Sequence, residues 1–239
     1  LKETNTPLPA SESAITEHKQ LTAEHQAEVS LLEAEHKSAT EQIRPEFEHW
    51  IQKMDQRFAK KQDDSLTFTV AKPITAKSSS GAVLNIAEDG SVLATGPLTD
   101  KDKYTLVFHL PTRVLSGIKL EVLPHETLPS KGPGRPPNGN FVLSELRAYT
   151  GKDSDFKTDY EPIEFSHAEA DFAQTNFAPP GATQKSPKSG WAISPKMGQP
   201  HQLLCLTEPL TTSENREFLQ VVLDQQYGGK HLIGHFRLS

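Results

Sequence analysis

The residues best placed to do chemistry gather in "GPGRPPNGNFVLSEL", Gly132 to Leu146. Gly132, Gly134 and Gly139 have the look of a phosphate loop, which cradles an anion with successive backbone N–H groups. Pro133, Pro136 and Pro137 delete three of those donors. The alternating run that follows predicts a strand, so no helix N-terminus is there to lend its dipole. The spacing therefore argues against a phosphate cradle and for a rigid loop leading into a strand. Arg135, Asn138 and Asn140 remain as side chains whose guanidinium and amide groups suit sugar hydroxyls. The two asparagines suit an internal role equally well, because Asn tolerates left-handed backbone and caps turns.

Few other residues carry a chemical pattern. The GxSxG, HExxH and GxxxxGK[ST] patterns are absent, and no Asp or Glu stands in a motif with acid–base logic. A non-catalytic protein is expected. Cys205, the single cysteine, sits in the alternating run Leu204-Cys205-Leu206 and reads as an inert buried thiol. Trp191 follows the polar turn "KSPKSG" and opens a strand. An aromatic there either stacks on a sugar ring or fills the end of a core. His18, His25 and His36 lie in a helical stretch. His18 and His25 are seven residues apart, about 10 Å along one face, too far to share one metal ion.

Bulk properties narrow the classes further. The net charge of -6 argues against a nucleic-acid binder, which needs a basic footprint. One cysteine allows neither an internal disulfide nor a CxxC knuckle, as expected of a cytosolic protein or a bacterial exported one. No apolar run approaches the roughly 20 residues of a membrane-spanning helix. The first residue, Leu1, and the strand-like ending "HLIGHFRLS" give the look of an excised fragment. Residues 11–64 hold twelve acidic and seven basic side chains, so they carry -5 of the charge and the remainder is nearly neutral. Two structural units are expected.

Residues 1–10, with two prolines, read as a flexible tail. From Ser11 or Ser13, either a plausible N-cap, the chain is helical in composition. His18, Thr22, His25, Val29, Leu32, His36, Ala39 and Ile43 follow the 4-3 spacing of a heptad seam, continued by Phe47, Trp50, Met54 and Phe58. Pro45 falls at the change of spacing and predicts a break or kink, with one helix near 12–43 and another near 45–61. The large apolar residues of the second suit docking on a folded domain. The first suits pairing, including homo-oligomerisation through the helices.

From Ser65 the period changes to two. About ten short strands follow, separated by Gly, Pro, Asn and Ser turns, with Asp89-Gly90 a strong hairpin signal. No helical pattern interrupts them. The expected fold is therefore mainly β: an antiparallel β-sandwich, of jelly-roll type, over residues 65–239, preceded by a coiled-coil-like helical segment over 11–64.

Several pieces in order, "DGSVLATG", "KYTLVFHL", "GPGR…NGNFVLSEL", "GWAISP" and "IGHFRLS", resemble a conserved region of large secreted planctomycete proteins that also carry a cytochrome-c-like domain. The region is similar to galactose-binding-like jelly rolls, the fold of discoidin domains and many carbohydrate-binding modules. The resemblance implies export, to periplasm or cell exterior, and a polysaccharide or other glycan as ligand. It places no haem in this stretch. In such folds a Ser-Glu pair lies on one strand, as Ser144-Glu145 does, and the glutamate often joins a structural calcium site. Glu145 and, beside it, Asp171 are the positions carried over. The turn "GATQKSPKSGW" lacks the Asp-Gly of the family. Glu145 bonded to backbone or to an arginine is the alternative. The expectation is a binding module with Arg135, Asn138, Asn140 and Trp191 as contacts, or else a scaffold that joins domains of its parent through the helices.

Overall fold

A computed structural model describes residues 11–61, 68–110, 112, 114–184, 190–212 and 215–239, with side chains in the helix described only to residue 49. The chain divides into two units, Leu1–Ser65 and Leu66–Ser239. The expected tail, the side chains of Trp50, Met54 and Phe58, and the turn at 185–189 lie outside the described residues.

Among the described residues, the first unit holds one helix, α1, Glu12–Lys61. Ser11 caps it: its Oγ accepts the Ala14 N–H at 3.3 Å. The expected division at Pro45 does not occur, and Pro45 lies inside a continuous helix. Proline forfeits one rung of the ladder, whereas the residues around it keep theirs, and the Ala-, Glu-, Gln- and Lys-rich flanks favour helix on both sides. Among residues 11–49 every side chain is exposed except Val29, which is half-buried.

Among the described residues, the second unit is an antiparallel β-sandwich of eleven strands: β1 (Thr75–Ser78), β2 (Val83–Ile86), β3 (Val92–Thr95), β4 (Asp102–His109), β5 (Val114–Val122), β6 (Glu145–Gly151), β7 (Tyr160–Ile163), β8 (His167–Ala170), β9 (His201–Thr211), β10 (Phe218–Gln225) and β11 (His235–Leu238). Five form one sheet in the order β1-β4-β10-β6-β7, and six form the other in the order β2-β3-β11-β5-β9-β8. The expected fold class is thus the observed one.

Alternation along the strands builds the core. Tyr104, Leu106 and Phe108 from β4, Leu120 and Val122 from β5, and Leu203 and Cys205 from β9 all point inward and are buried. Cys205 is inert for the reason its pattern suggests: desolvation pushes its thiol up to about 12. The β2–β3 hairpin turns at Asp89-Gly90. Gly90 has φ +78°, and Asp89 Oδ1 accepts the Ser91 N–H at 3.0 Å and the Ser91 hydroxyl at 2.7 Å. Those bonds, the hydroxyl first, hold the Asp89 carboxyl below the usual carboxylate range.

The loop between β5 and β6 is sewn onto the chain ahead of β11. Gly134 bridges Ile233, Arg135 N donates to Leu232 O at 2.8 Å, and Val142 N donates to His231 O at 3.0 Å. Within the loop, Gly134 N donates to Gly139 O at 2.9 Å. A Cβ on Gly134 would lie 1.8 Å from Asn140 O, so only glycine fits there. The donors that resembled an anion cradle are spent on the protein's own carbonyls.

Candidate functional site

Strand β6 brings Glu145 directly opposite Asp224 of β10. Two carboxylates facing each other across a ladder repel. Arg147 answers both, with Nε 3.4 Å from Glu145 Oε2 and Nη2 3.0 Å from Asp224 Oδ2. Lys103 approaches Asp224 at 3.9 Å, and Gln226 Nε2 donates to Asp224 Oδ1 at 2.6 Å. Glu145 therefore has an arginine partner. Its neighbour Ser144 is buried and accepts the Gln226 N–H at 2.9 Å.

Asp171 follows β8 in the other sheet. Its Oδ2 lies 2.7 Å from His201 Nδ1, and its Oδ1 accepts the Gln202 N–H at 2.8 Å. The His201 ring is buried, with Nε2 2.8 Å from Lys196 O. Lys196 Nζ sits 4.4 Å over the Phe172 ring, and that ring lies 5.8 Å from His201. The structure does not bring Glu145 and Asp171 into one oxygen shell. Calcium takes six to eight oxygens, and these two carboxylates close separate networks on different sheets. Among the described residues, no group of three or more His, Cys, Asp or Glu is placed to hold a metal ion.

Trp191 lies in the core with 0% of its surface exposed. Its ring meets Phe141 edge-on at 5.1 Å, and its Nε1 donates to Phe172 O at 2.8 Å. A ring so enclosed presents no face for stacking. The polar turn before it suggested exposure, but the Leu143–Trp191 bridge draws it inward.

Arg135 is buried, and its two amino groups donate to Pro97 O at 3.0 Å and Gly96 O at 2.7 Å. Asn140 is buried as well. Its Oδ1 accepts the Ile193 N–H at 3.1 Å, and its Nδ2 donates to Gln174 Oε1 at 3.0 Å. Asn138 is exposed, with its Oδ1 accepting the Asn140 N–H at 3.2 Å. Of the four expected contacts, only Asn138 lies at the surface.

The buried pair is nonetheless tied to a second constellation. Arg135 fixes the segment at Gly96 and Pro97 that leads to Asp100. Asp100 Oδ1 in turn accepts the Gly229 N–H at 2.7 Å. That contact holds a tight turn in which Gly228, Gly229 and Lys230 all have positive φ. Asn140 fixes Gln174, whose carbonyl accepts the Phe177 N–H at 2.9 Å. The two supports end at three neighbouring rings. Tyr227 lies between Phe177, 5.5 Å away at 78°, and His231, 5.6 Å away at 88°. These distances and near-perpendicular angles suit edge-to-face packing, which fixes ring orientation. Tyr227 is 47% exposed. His231 Nδ1 lies 3.2 Å from Gly228 O and donates to it.

Sequence reasoning passed over these rings. Phe177, Tyr227 and His231 come from two loops fifty residues apart, and no spacing rule links them. The available signal was "QQYGGKH", an aromatic placed just before a Gly-Gly turn.

The fold and this arrangement define a class, an antiparallel β-sandwich with ordered loops and an exposed aromatic cluster. Beyond that class, comparison with protein-family models, with curated proteins and with solved structures finds no match.

Proposed function

We propose that the sandwich is a non-catalytic binding module for a carbohydrate, with Tyr227 as its stacking surface. The observation that carries this reading is the exposed Tyr227 ring set edge-on between Phe177 and His231. An aromatic face covers the C–H surface of a sugar, and nearby polar groups select its hydroxyls. His231, Asn176 and Lys230 are polar groups in the same loops. In this reading Arg135 and Asn140 support the loops, and the carbohydrate meets the rings. The exported, multidomain setting rests on the resemblance drawn from "GNFVLSEL" and "GHFRLS".

Affinity electrophoresis through gels containing a panel of polysaccharides tests the reading. Retardation by at least one polysaccharide, lost in Tyr227→Ala, is expected. Absence of retardation in every gel, or equal retardation of wild type and Tyr227→Ala, overturns it.

A second reading, a scaffold joining domains of its parent, is favoured by the helical unit. Among residues 11–49, Leu21, Leu31, Leu32 and Ile43 are large apolar side chains and all are exposed.

A further inference from the structure

Helix α1 has a seam that suits one kind of partner. Its 50 residues span about 75 Å. A helix stabilised only by its own ladder is marginal, and most helices draw their stability from packing one face. Val29, Leu32, His36, Ala39 and Ile43 occupy alternating a and d positions of a heptad. Val29, Leu32, Glu33 and His36 line one concave patch on the helix surface. They are residues i, i+3, i+4 and i+7, the four that form a hole for one knob of a facing helix.

The charges beside the seam decide which helix fits. On one side the g positions are Glu28, Glu35 and Gln42. On the other the e positions are Gln26, Glu33 and Thr40. Lys37 and Arg44 fall at b, outside the contact. Lys37 is four residues after Glu33 and can pair with it within the helix. Glu28 and Glu35 have no Lys or Arg three or four residues away. The same stretch of a second copy fits poorly in either direction. In parallel, Glu28 of one copy faces Glu33 of the other, twice by symmetry. In antiparallel, with Val29 over Leu32, Glu28 faces Glu35. Charges at e and g set partner choice in such pairings, and like charges oppose them.

We propose that residues 26–43 of α1 are a docking strip for an amphipathic helix of another polypeptide whose apolar stripe is flanked on both sides by Lys or Arg. The inference concerns the helical unit and stands independently of the glycan reading.

Designed peptides test it on the full chain. One carries an Ile/Leu seam with Lys at every e and g. A second has the same seam with Glu at those positions. A third has the Lys peptide's composition in shuffled order. Fluorescence anisotropy should show the Lys peptide binding at least about tenfold more tightly than the other two. E28K/E33K/E35K should reverse the preference towards the Glu peptide, and circular dichroism of that variant shows whether α1 is retained. Equal binding of the Lys peptide and its shuffled form overturns the proposal, because net charge alone then explains the attraction. Unreversed preference in a helical variant overturns it too. So does sedimentation showing that the wild-type chain dimerises and that E28K/E33K/E35K leaves the dimer intact.

Discussion

Asn140 donates through Nδ2 to Gln174 Oε1 at 3.0 Å, and this one bond joins the loop before β6 to the loop that carries Phe177. Its Oδ1 is engaged on the opposite side by the Ile193 N–H. Both ends of a buried amide are thus spent on holding two loops and a third segment in register.

Replacing Asn140 by Ala should lower the unfolding free energy by about 2–3 kcal/mol, because the buried Ile193 N–H and the Gln174 amide lose their partner. Urea unfolding measures it. Asn140→Asp keeps the acceptor for Ile193, and at mildly acidic pH its protonated carboxyl can donate to Gln174 Oε1 in place of the amide, so its loss there should be the smaller.

Trp191 and Tyr227 should separate stability from binding. Trp191→Ala empties a fully enclosed site and should cost about 3–5 kcal/mol. Tyr227→Ala, at a half-exposed ring, should cost about 1 kcal/mol or less while abolishing retardation in polysaccharide gels. Paired urea melts and gels give both readouts.

Gly134→Ala should leave little folded protein. The added Cβ would fall 1.8 Å from Asn140 O, against backbone that cannot swing aside as a side chain could. Yield of soluble protein and the urea midpoint check it. Gly81→Ala is the control: there a Cβ meets nothing within 4 Å, and only its φ of +89° opposes the substitution.

His235 should make the sandwich acid-sensitive. Burial lowers its pKa first of all, and the like charge of nearby His125 and of Arg237 acts in the same direction; the bond to Pro124 O and the charge of Asp89 oppose it. The folded state therefore prefers the neutral ring. Below about 6.5 the unfolded chain takes up the proton more readily than the folded one. The contribution is present in full above that pH and is lost as pH falls through the lowered folded value. Urea midpoints measured from pH 7.5 downwards should fall, and His235→Asn should flatten that slope.

The sandwich was legible where local chemistry and tertiary placement agree. Asp89-Gly90 announces its hairpin because the turn needs positive φ and a side-chain acceptor, and both residues are adjacent in the chain. The rigid entry of the loop into β6 was legible for a similar reason, since three prolines both shape a backbone and remove its donors. Trp191 was ambiguous, because a core residue and a sugar platform ask for the same side chain and differ only in what covers it. Glu145 was ambiguous likewise: its neutralising Arg147 is two residues away on the same face, but Asp224, the charge that makes Arg147 necessary, comes from a distant strand. The ring cluster was illegible, since Phe177 and Tyr227 meet only after two sheets have formed. Pro45 misled because an interior proline opposes a helix by about 3 kcal/mol without forbidding one.

The positions of β10 and β11 have a consequence for biosynthesis. Each is the third strand of its sheet, with β10 between β4 and β6 and β11 between β3 and β5. The strands on either side of them are made first and have no partner to close against. Until β10 has left the ribosome both sheets are split down the middle, and the six-stranded one stays so until β11 follows, with raw edges that can pair with a neighbouring nascent chain. Completion of this domain is therefore a late event, and a stop codon between Tyr149 and Phe218 removes the keystone of both layers at once.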